Sequence, residues 1–406
     1  MVPEGIWKWA QLKGINLVGT GDFTHPKWFK ELNEKLEPAG NGIFELRKEH
    51  RLSAVSGVPQ SCRSDVFFLL SAEISCIYKK NGRTRKIHCL IFMPDMASAA
   101  RLNLSLSRIG NITSDGRPIL GLDAKELLKI AMDASSDAVF IPAHAWTPHF
   151  SIFGAASGFD SMEECFEELT PHIHAIETGL SSDPPMNWRL SALDRITLIS
   201  NSDAHSPAKM GREANIFETE LSYAAVTEAV KTKNGFHGTI EFFPEEGKYH
   251  YDGHRACNLH CSPSETIGHD YCCPVCGKRL TIGVAHRVEV LSDRQQGLGP
   301  EGALPYRSAI PLSEVLAEVY DVGVGSRAVQ AEYMRLLAAL GNEFAILLDT
   351  PLAEIERAAS TLTAEAINRM RQGAIHIRPG YDGEYGLIKI FEDGERGAIK
   401  GQGMLL

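Results

Sequence analysis

The sequence predicts an α/β fold with a mostly parallel sheet, followed by a small cysteine-rich domain and a C-terminal helical region. Over residues 1 to about 235, short apolar runs alternate with helix-like segments, which is the pattern of strands joined by helices. Five of the nine cysteines then fall between Cys257 and Cys276. Such clustering predicts a metal site rather than a disulfide framework.

The α/β region is predicted element by element from its apolar pattern. A helix over 6–13 precedes a short strand over 14–19, which ends in a Gly-rich turn. The runs VFFLLS (66–71) and IHCLIFM (87–93) predict buried strands. An amphipathic helix over 123–134 follows. Further short strands are predicted at 138–141, 175–178 and 197–200.

Changes in composition divide the chain into three regions. Beyond the cysteine-rich segment, residues 312–370 are helical in pattern, with Ser326 as a predicted N-cap and Gly341 as a stop for the helix over 327–340. The tail, 374–391, predicts two strands around a turn. The predicted domains are an α/β domain over 1–238, a zinc-ribbon domain over 239–295, and a helical region ending in a hairpin over 296–406.

Composition limits the class of protein. A hydrophobic content of 44% and a charged content of 23% are typical of a globular chain, and we expect a cytoplasmic protein with no membrane contact and no dedicated protein partner. The net charge of −10 argues against a protein that coats nucleic acid non-specifically. It does not exclude a local basic groove, because the carboxylates of a metal site add negative charge that bound cations cancel.

Potential metal ligands lie at or beside the predicted strands. In α/β barrels, functional groups gather at the carboxyl ends of strands, so we expect these side chains to share one site. Histidine nitrogens and carboxylate oxygens are the ligands of divalent ions that act on phosphate. Each residue alone is more often structural, and it is their combination that predicts chemistry. The set is Asp22, His25, Glu73, His88, His144, Asp203 and His205.

These motifs resemble the PHP (polymerase and histidinol phosphatase) domain. The resemblance rests on GTGDFTH (19–25), AEI (72–74), IHCL (87–90), AH (143–144) and DAH (203–205). It implies a distorted (β/α)7 barrel that binds up to three divalent ions, Zn²⁺, Mg²⁺ or Mn²⁺. In that scheme one ion is held by Glu73, His88 and His144, and another by Asp22, His25 and His205.

The PHP pattern also has a His-x-His pair at the end of its first strand, which shares an ion with the positions of Glu73 and Asp203. No histidine precedes His25 in this sequence. We expect that the given start corresponds to an internal methionine. The alternative is that the strand and its two ligands have been lost, which would leave two intact ion positions and one impaired position.

Longer stretches resemble endonuclease Q. The resemblance covers nearly the whole chain and implies an endonuclease of DNA repair that hydrolyses the phosphodiester 5′ to a deaminated base (hypoxanthine, uracil or xanthine) or an abasic site. Alternatives that stay open are a PHP phosphatase of a small phosphomonoester and an impaired PHP protein that binds damaged DNA. The matching stretches are 19–26, 144–166, 177–188, 199–215, 249–257, 273–287 and 377–391.

A nuclease of this kind needs contacts to DNA. A damaged base is expected to leave the stack and enter a pocket, which Trp146 would line unless it is a core residue. His149 is either a phosphate contact or an ordinary loop residue. A basic turn around Asn81 is either a DNA contact or a solvated hairpin tip. The candidate cations are Lys79, Lys80, Arg83 and Arg85 in that turn, and Lys209 and Arg212 after the DAH motif.

The motif CPVCG (273–277) has the spacing of a zinc knuckle. The second pair of ligands is less clearly marked, because His254, His260 and Cys272 are also near. The predicted structural zinc ligands are Cys257, Cys261, Cys273 and Cys276. A zinc ion would stabilise a domain too small to form its own core.

Overall fold

The structure, a computed structural model, describes residues 1–114 and 117–397. The chain begins with α1 (Pro3–Lys13) and β1 (Leu17–Gly19), which confirms the first two predicted elements. Gly14 ends α1 with a left-handed φ of 90°, a conformation that glycine adopts at little cost. The next elements are α2 (Pro26–Lys35), β2 (Leu36–Gly40), β3 (Ile43–Leu46), α3 (Lys48–Ala54), β4 (Phe67–Lys80) and β5 (Arg83–Met93).

The strands β4 and β5 form a long antiparallel hairpin at the centre of a seven-stranded sheet. Its turn, Asn81 and Gly82, has φ values of 54° and 73°, as a tight hairpin with right-handed twist requires. The sheet is therefore mixed, and the expectation of a mostly parallel sheet is wrong here. The polar run before and after the turn extends both strands well beyond their predicted apolar segments.

Helices and short strands complete the α/β region. The strands β1 and β6 (Ile119–Leu120) run parallel to β4, and β7 (Val139–Pro142) pairs with β5. The strands β8 (Ala175–Glu177) and β9 (Thr197–Ile199) form a separate parallel pair. Among the described residues, the paired strands form no closed barrel. The elements are α4 (Met96–Ser107), β6 (Ile119–Leu120), α5 (Ala124–Ala134), β7 (Val139–Pro142), α6 (Met162–Phe166), β8 (Ala175–Glu177), α7 (Pro184–Asn187), β9 (Thr197–Ile199), β10 (Ala214–Phe217), α8 (Tyr223–Thr232) and β11 (Phe236–Glu241).

The cysteine-rich segment folds around a small hairpin. Its elements are β12 (Asp252–His254), β13 (Leu259–Cys261), α9 (Pro263–Gly268) and α10 (Val284–Leu291). The buried carboxylate of Asp252 accepts a hydrogen bond from the Gly283 backbone and lies 2.6 Å from His286 Nδ1. These contacts attach the hairpin to α10, which packs against the main core.

The C-terminal region is helical, as predicted, and is tied to the α/β region in two places. Strand β14 (Tyr306–Ser308) pairs with β11, and a buried ion pair of 2.6 Å joins Lys13 of α1 to Glu343. None of the described helices is long and apolar enough to cross a bilayer. The remaining elements are α11 (Leu312–Tyr320), α12 (Arg327–Leu340), α13 (Leu352–Ala358), α14 (Thr361–Gln372), β15 (His376–Arg378) and β16 (Leu387–Lys389).

Candidate metal centres

Five of the seven predicted ligands of the α/β region line one opening in the molecule. Asp22 lies in the loop after β1, Glu73 in β4 and His88 in β5, while His144 follows β7 and Asp203 follows β9. A cavity of about 1050 Å³ is lined by Asp22, His25, Glu73, Asp203 and His205. The structure therefore brings the ends of separate strands to a common site, as the sequence pattern predicts.

The β4–β5 hairpin positions two ligands by its register alone. Glu73 lies opposite Leu90, and His88 lies opposite Ser75, so the two side chains are diagonal neighbours on one face of the hairpin. The alternate residues Ile74 and Cys89 are fully buried in the core on the other face. Packing below the hairpin thus fixes the two ligands above it.

His144 completes a compact triangle with these two residues. Glu73 Oε1 lies 2.9 Å from His88 Nδ1 and 3.2 Å from His144 Nε2, and the two ring nitrogens are 3.0 Å apart. Ligand atoms bound at about 2.0–2.1 Å to a tetrahedral ion are about 3.3 Å from one another. The triangle has the dimensions of three ligands of one small divalent ion.

The hydrogen bonds of His144 orient its ring toward the site. The hydroxyl of Thr147 donates to the His149 carbonyl at 2.8 Å, so its oxygen accepts from His144 Nδ1 at 3.0 Å. This leaves Nε2 facing Glu73, the arrangement that supporting hydrogen bonds give to metal-binding histidines. Burial lowers the pKa of His144, but the hydrogen bond and charge of Glu73 raise it above its ordinary value. The Nε2 position thus attracts a proton or a cation.

Arg117 supplies positive charge to the triangle and was not identified from the sequence. Its Nη1 lies 2.6 Å from Glu73 Oε1 and 2.5 Å from His88 Nδ1. Burial opposes ionisation of Glu73, yet its close polar contacts with His144 and His88 and the charge of Arg117 hold its pKa well below the usual range. Arg117 lies between α4 and β6 in the chain, where no strand pattern marks it.

Backbone strain is concentrated around this site. Asp22, His144 and Asp203 have φ values of 45°, 30° and 41°, which are uncommon for residues with a side chain and mark functional sites when they cluster. Gly179, with φ 62°, packs against His144 so closely that an added Cβ would lie 2.6 Å from the His144 Cβ. Only glycine fits this contact.

Glu177 is a second residue that sequence reasoning missed. Its buried carboxylate accepts hydrogen bonds from the His144 backbone at 2.7 Å and from Asn201 Nδ2 at 2.9 Å. Burial raises its pKa to about 7. The carboxylate thereby joins the loop of His144 to the segment before Asp203. Its place at the end of the predicted strand 175–178 was the available signal.

The other predicted ligands are less tightly assembled. His205 is 81% exposed, and its Nε2 lies 3.7 Å from Asp203 Oδ1. Burial, together with the charge of Glu73, raises the pKa of Asp22. These residues line the open side of the cavity, outside the compact triangle.

Three of the predicted DNA contacts are corrected by the structure. Trp146 is fully buried, and its indole donates to Asn187 Oδ1 at 2.8 Å, so it is a core residue. Lys80 donates to the Cys165 carbonyl at 2.9 Å and pairs with Glu167 at 2.7 Å. The Arg85 guanidinium is buried over the Phe159 ring, 4.0 Å from its centroid.

The remaining predicted DNA contacts differ in exposure. Arg212 is half-buried and donates to the Ser202 carbonyl at 3.3 Å. This hydrogen bond stabilises the loop that contains Asp203. Lys209 is half-exposed and lies 3.4 Å from Glu314. The residues on the open surface are Lys79, Arg83 and His149.

The cysteine-rich segment contains the second group of converging ligands. His254, Cys257, Cys273 and Cys276 offer ligand atoms that all lie within 4.8 Å of one another. Cys261 was predicted in place of His254, and it does not belong to this converging group. His254 is next to the turn that carries Cys257, whereas Cys261 pairs with Asp252 further along the hairpin and is buried.

Comparison with known proteins gives consistent matches. Residues 311–374 match the family model described as the MJ0043 C-terminal domain. The chain is 30% identical to the uncharacterised protein YqxK of Bacillus subtilis, over 94% of this chain and 90% of that protein. It is 31% identical to the uncharacterised protein MJ0043 of Methanocaldococcus jannaschii over 270 residues, which span 33% of that protein.

Two solved structures are similar over 97% of this chain, each at 31% identity. One is the lesion-specific endonuclease PfuEndoQ of Pyrococcus furiosus, with a TM-score of 0.82 and 91% of that chain covered. The other is an endonuclease Q in complex with a 27-mer duplex substrate that has an abasic lesion at the active site, with a TM-score of 0.81 and 92% covered.

Proposed function

The chain belongs to the endonuclease Q family, and we propose that it is a DNA-repair endonuclease of the PHP type that requires divalent metal ions. The proposed reaction is hydrolysis of the phosphodiester on the 5′ side of a deaminated base or an abasic site. The observation that supports it most directly is the triangle of Glu73, His88 and His144, of which Glu73 also lines the open cavity. Family membership supplies the substrate class.

The donor set fits a divalent ion with two imidazole nitrogens and one carboxylate oxygen. Such an ion supplies Lewis-acid chemistry, since it withdraws charge from phosphate oxygens and promotes deprotonation of water near neutral pH. Three protein ligands leave room for substrate. We assign Asp22, His25, Asp203 and His205, on the open side of the same cavity, to further ions near the phosphate.

DNA is proposed to approach from the open side. A cavity of about 1050 Å³ is large enough to receive a nucleotide turned out of the duplex, and the energy of unstacking is lowest where pairing is already damaged. The exposed cations Lys79, Arg83 and Lys209 are proposed to contact backbone phosphates. His149 is proposed to lie near the phosphate because its carbonyl supports the Thr147 hydroxyl next to His144.

The Cys/His group is proposed to hold one structural zinc ion. Three thiolates and one imidazole are a common zinc set. The ion would order the hairpin of β12 and β13 together with the segment after Cys276, which contains the exposed residues Lys278 and Arg279. This domain is then a proposed second contact for DNA.

A nicking assay tests the proposal. Labelled duplexes carrying hypoxanthine, uracil, an abasic site or no lesion are incubated with the full chain and Mg²⁺, Mn²⁺ or Zn²⁺. We expect metal-dependent nicks immediately 5′ to the lesion. Glu73→Gln should lower the rate on the order of 10³-fold, because it removes the charged ligand that two histidines share. The matched control is Glu49→Gln, on the exposed face of α3.

The alternatives give different results in the same assay. Release of phosphate from small monoesters without cleavage of any duplex would replace the proposal by a phosphatase. Tight binding of lesion duplexes without a nick under any of the three metals would indicate a damage-binding protein that has lost catalysis.

A further inference from the structure

Arg117 occupies an unusual position for a cationic side chain. Its guanidinium is inserted between candidate metal ligands, with Nη1 at 2.6 Å from Glu73 Oε1 and 2.5 Å from His88 Nδ1. The side chain is 22% exposed, and its Nη2 lies 3.9 Å from Asp203 Oδ1. One end of the guanidinium therefore points into the triangle and the other toward the open side of the cavity.

Arg117 and a metal ion cannot use His88 at the same time. An arginine only donates hydrogen bonds, so His88 Nδ1 accepts with the one in-plane lone pair that a neutral ring nitrogen has. A metal ion at the triangle would need that same lone pair. Two positive charges a few ångströms apart in a partly buried site also repel each other strongly. Binding of the ion therefore requires the guanidinium to leave His88.

The cavity gives the displaced guanidinium an open direction. The cavity extends from Glu73 past Arg117 toward Asp203 and His205, and Nη2 already faces that side. The planar guanidinium offers paired donors that match two phosphate oxygens. A phosphate bound next to the ion would lie within reach of a side chain that pivots by a short distance.

We propose that Arg117 is a catalytic residue with two positions: it holds the metal position in the absence of the ion, and it moves to the scissile phosphate when the ion binds. The second position rests on the proposed function, whereas the first does not depend on the substrate. The exchange would couple metal binding to phosphate binding, because the ion frees the donor that the phosphate needs. In its first position, Arg117 would also keep Glu73 charged and the triangle intact between turnovers.

The experiment begins with metal binding in the absence of DNA. Mn²⁺ is titrated calorimetrically into the full chain, because thiolates bind Mn²⁺ poorly and the Cys/His group then interferes little. Arg117→Ala should bind Mn²⁺ more tightly on the order of tenfold, since no internal cation has to be displaced. Arg117→Lys, which retains a charge, should lie between it and the wild type. Arg108→Ala, at the exposed end of α4, is the control.

Nicking of the abasic duplex at saturating Mn²⁺ is the second measurement. Arg117→Ala should be slower by roughly 10²-fold despite its tighter metal binding, because it lacks the phosphate donor. Metal affinity that is unchanged or weaker in both Arg117 variants would overturn the first position. A wild-type rate in Arg117→Ala would overturn the second. If the wild type cuts no duplex, the proposed function fails, while the Mn²⁺ titration still decides whether Arg117 holds the metal position.

Discussion

The triangle of Glu73, His88 and His144 stands on a hairpin with eleven paired residues on each strand, whereas the Cys/His group stands on two strands of three residues. Beneath the first lies the main core of the molecule. In the described part of the chain, the second is associated with a small apolar cluster whose buried residues are Cys261, Cys273 and Leu280. The first site is supported directly by the main core, whereas the second is joined to that core through the contacts of Asp252 with α10.

This difference indicates opposite relations between metal and structure. The triangle keeps its geometry through hairpin register, the Thr147 hydrogen bond and the Arg117 charge, so we expect its ion to serve chemistry. The Cys/His group has no comparable support, and in such small domains the free energy of metal binding is the free energy of folding. The following predictions test that contrast.

The largest expected effect is on the Cys/His group. Cys276→Ser should lose the bound zinc and unfold the segment 249–283, because structural zinc contributes on the order of 10 kcal/mol to domains of this kind. Native mass spectrometry would measure zinc per chain, and limited proteolysis would locate the unfolded segment. The exposed control Glu49→Gln should leave both readouts unchanged.

Two further cysteines sharpen this prediction. Cys261→Ser and Cys272→Ser should retain one zinc per chain, because neither sulfur belongs to the converging group. Loss of zinc in Cys261→Ser, with zinc retained in His254→Ala, would restore the ligand set predicted from the sequence.

A second prediction concerns the rigid support of the triangle. Gly179→Ala should lower the free energy of unfolding by about 3 kcal/mol, from the left-handed φ and from overlap with His144. Nicking should fall as well, because His144 must shift. Gly373 has a similar φ of 66° and no atom within 4 Å of an added Cβ, so Gly373→Ala measures the backbone cost alone. Equal losses in urea unfolding would show that the His144 contact is unimportant.

Local signals in the sequence predicted several elements of the fold and the ligands of the triangle. Residues whose backbone preferences act over a few positions marked four features of the fold. These are the helix α1, the N-cap at Ser326, the end of α12 at Gly341 and the C-terminal hairpin. The ligands of the triangle were found because an Asp, Glu or His directly after or within an apolar strand is a local pattern as well.

What the sequence did not predict depends on contacts between distant residues. Arg117 reaches Glu73 across 44 positions, and nothing near it in sequence marks that contact. The choice of His254 over Cys261 depends on hairpin register, which cysteine spacing does not define. Lys80 and Arg85 look like surface cations until Glu167 and Phe159 are brought against them.

A third prediction uses pH to separate the two regions. Glu241 is buried near the ends of β8 and β9, and burial raises its pKa from 4.5 to about 7. Below pH 4.5 it is protonated in both states, and as pH rises toward 7 only the unfolded chain releases the proton. Its contribution to stability should therefore fall by about 1.4 kcal/mol for each pH unit in that window.

Urea unfolding of the wild type and Glu241→Gln at pH 5.5 and 6.5 measures this loss as a change in their difference in stability. The exposed Glu220→Gln serves as the control. Zinc affinity of the Cys/His group should change in the opposite direction, since protons compete with the ion for thiolates and histidine. The assigned sign would be contradicted if the free energy of unfolding of the wild type, minus that of Glu241→Gln, rises between pH 5.5 and pH 6.5.

The smallest expected effect compares the two regions as surfaces for DNA. In a Glu73→Gln background, the double variant Lys79→Ala/Arg83→Ala should weaken binding of an abasic duplex a few-fold in fluorescence anisotropy. Each lost phosphate contact should reduce the slope of log affinity against log salt by about 0.9. The matched pair is Lys278→Ala/Arg279→Ala on the cysteine-rich domain. If the β4–β5 hairpin contacts the DNA backbone, the slope for Lys79→Ala/Arg83→Ala should fall by the amount expected for about two phosphate contacts. The slope for Lys278→Ala/Arg279→Ala should then fall by less. The reverse result would move the DNA path from the hairpin tip to the metal-stabilised domain.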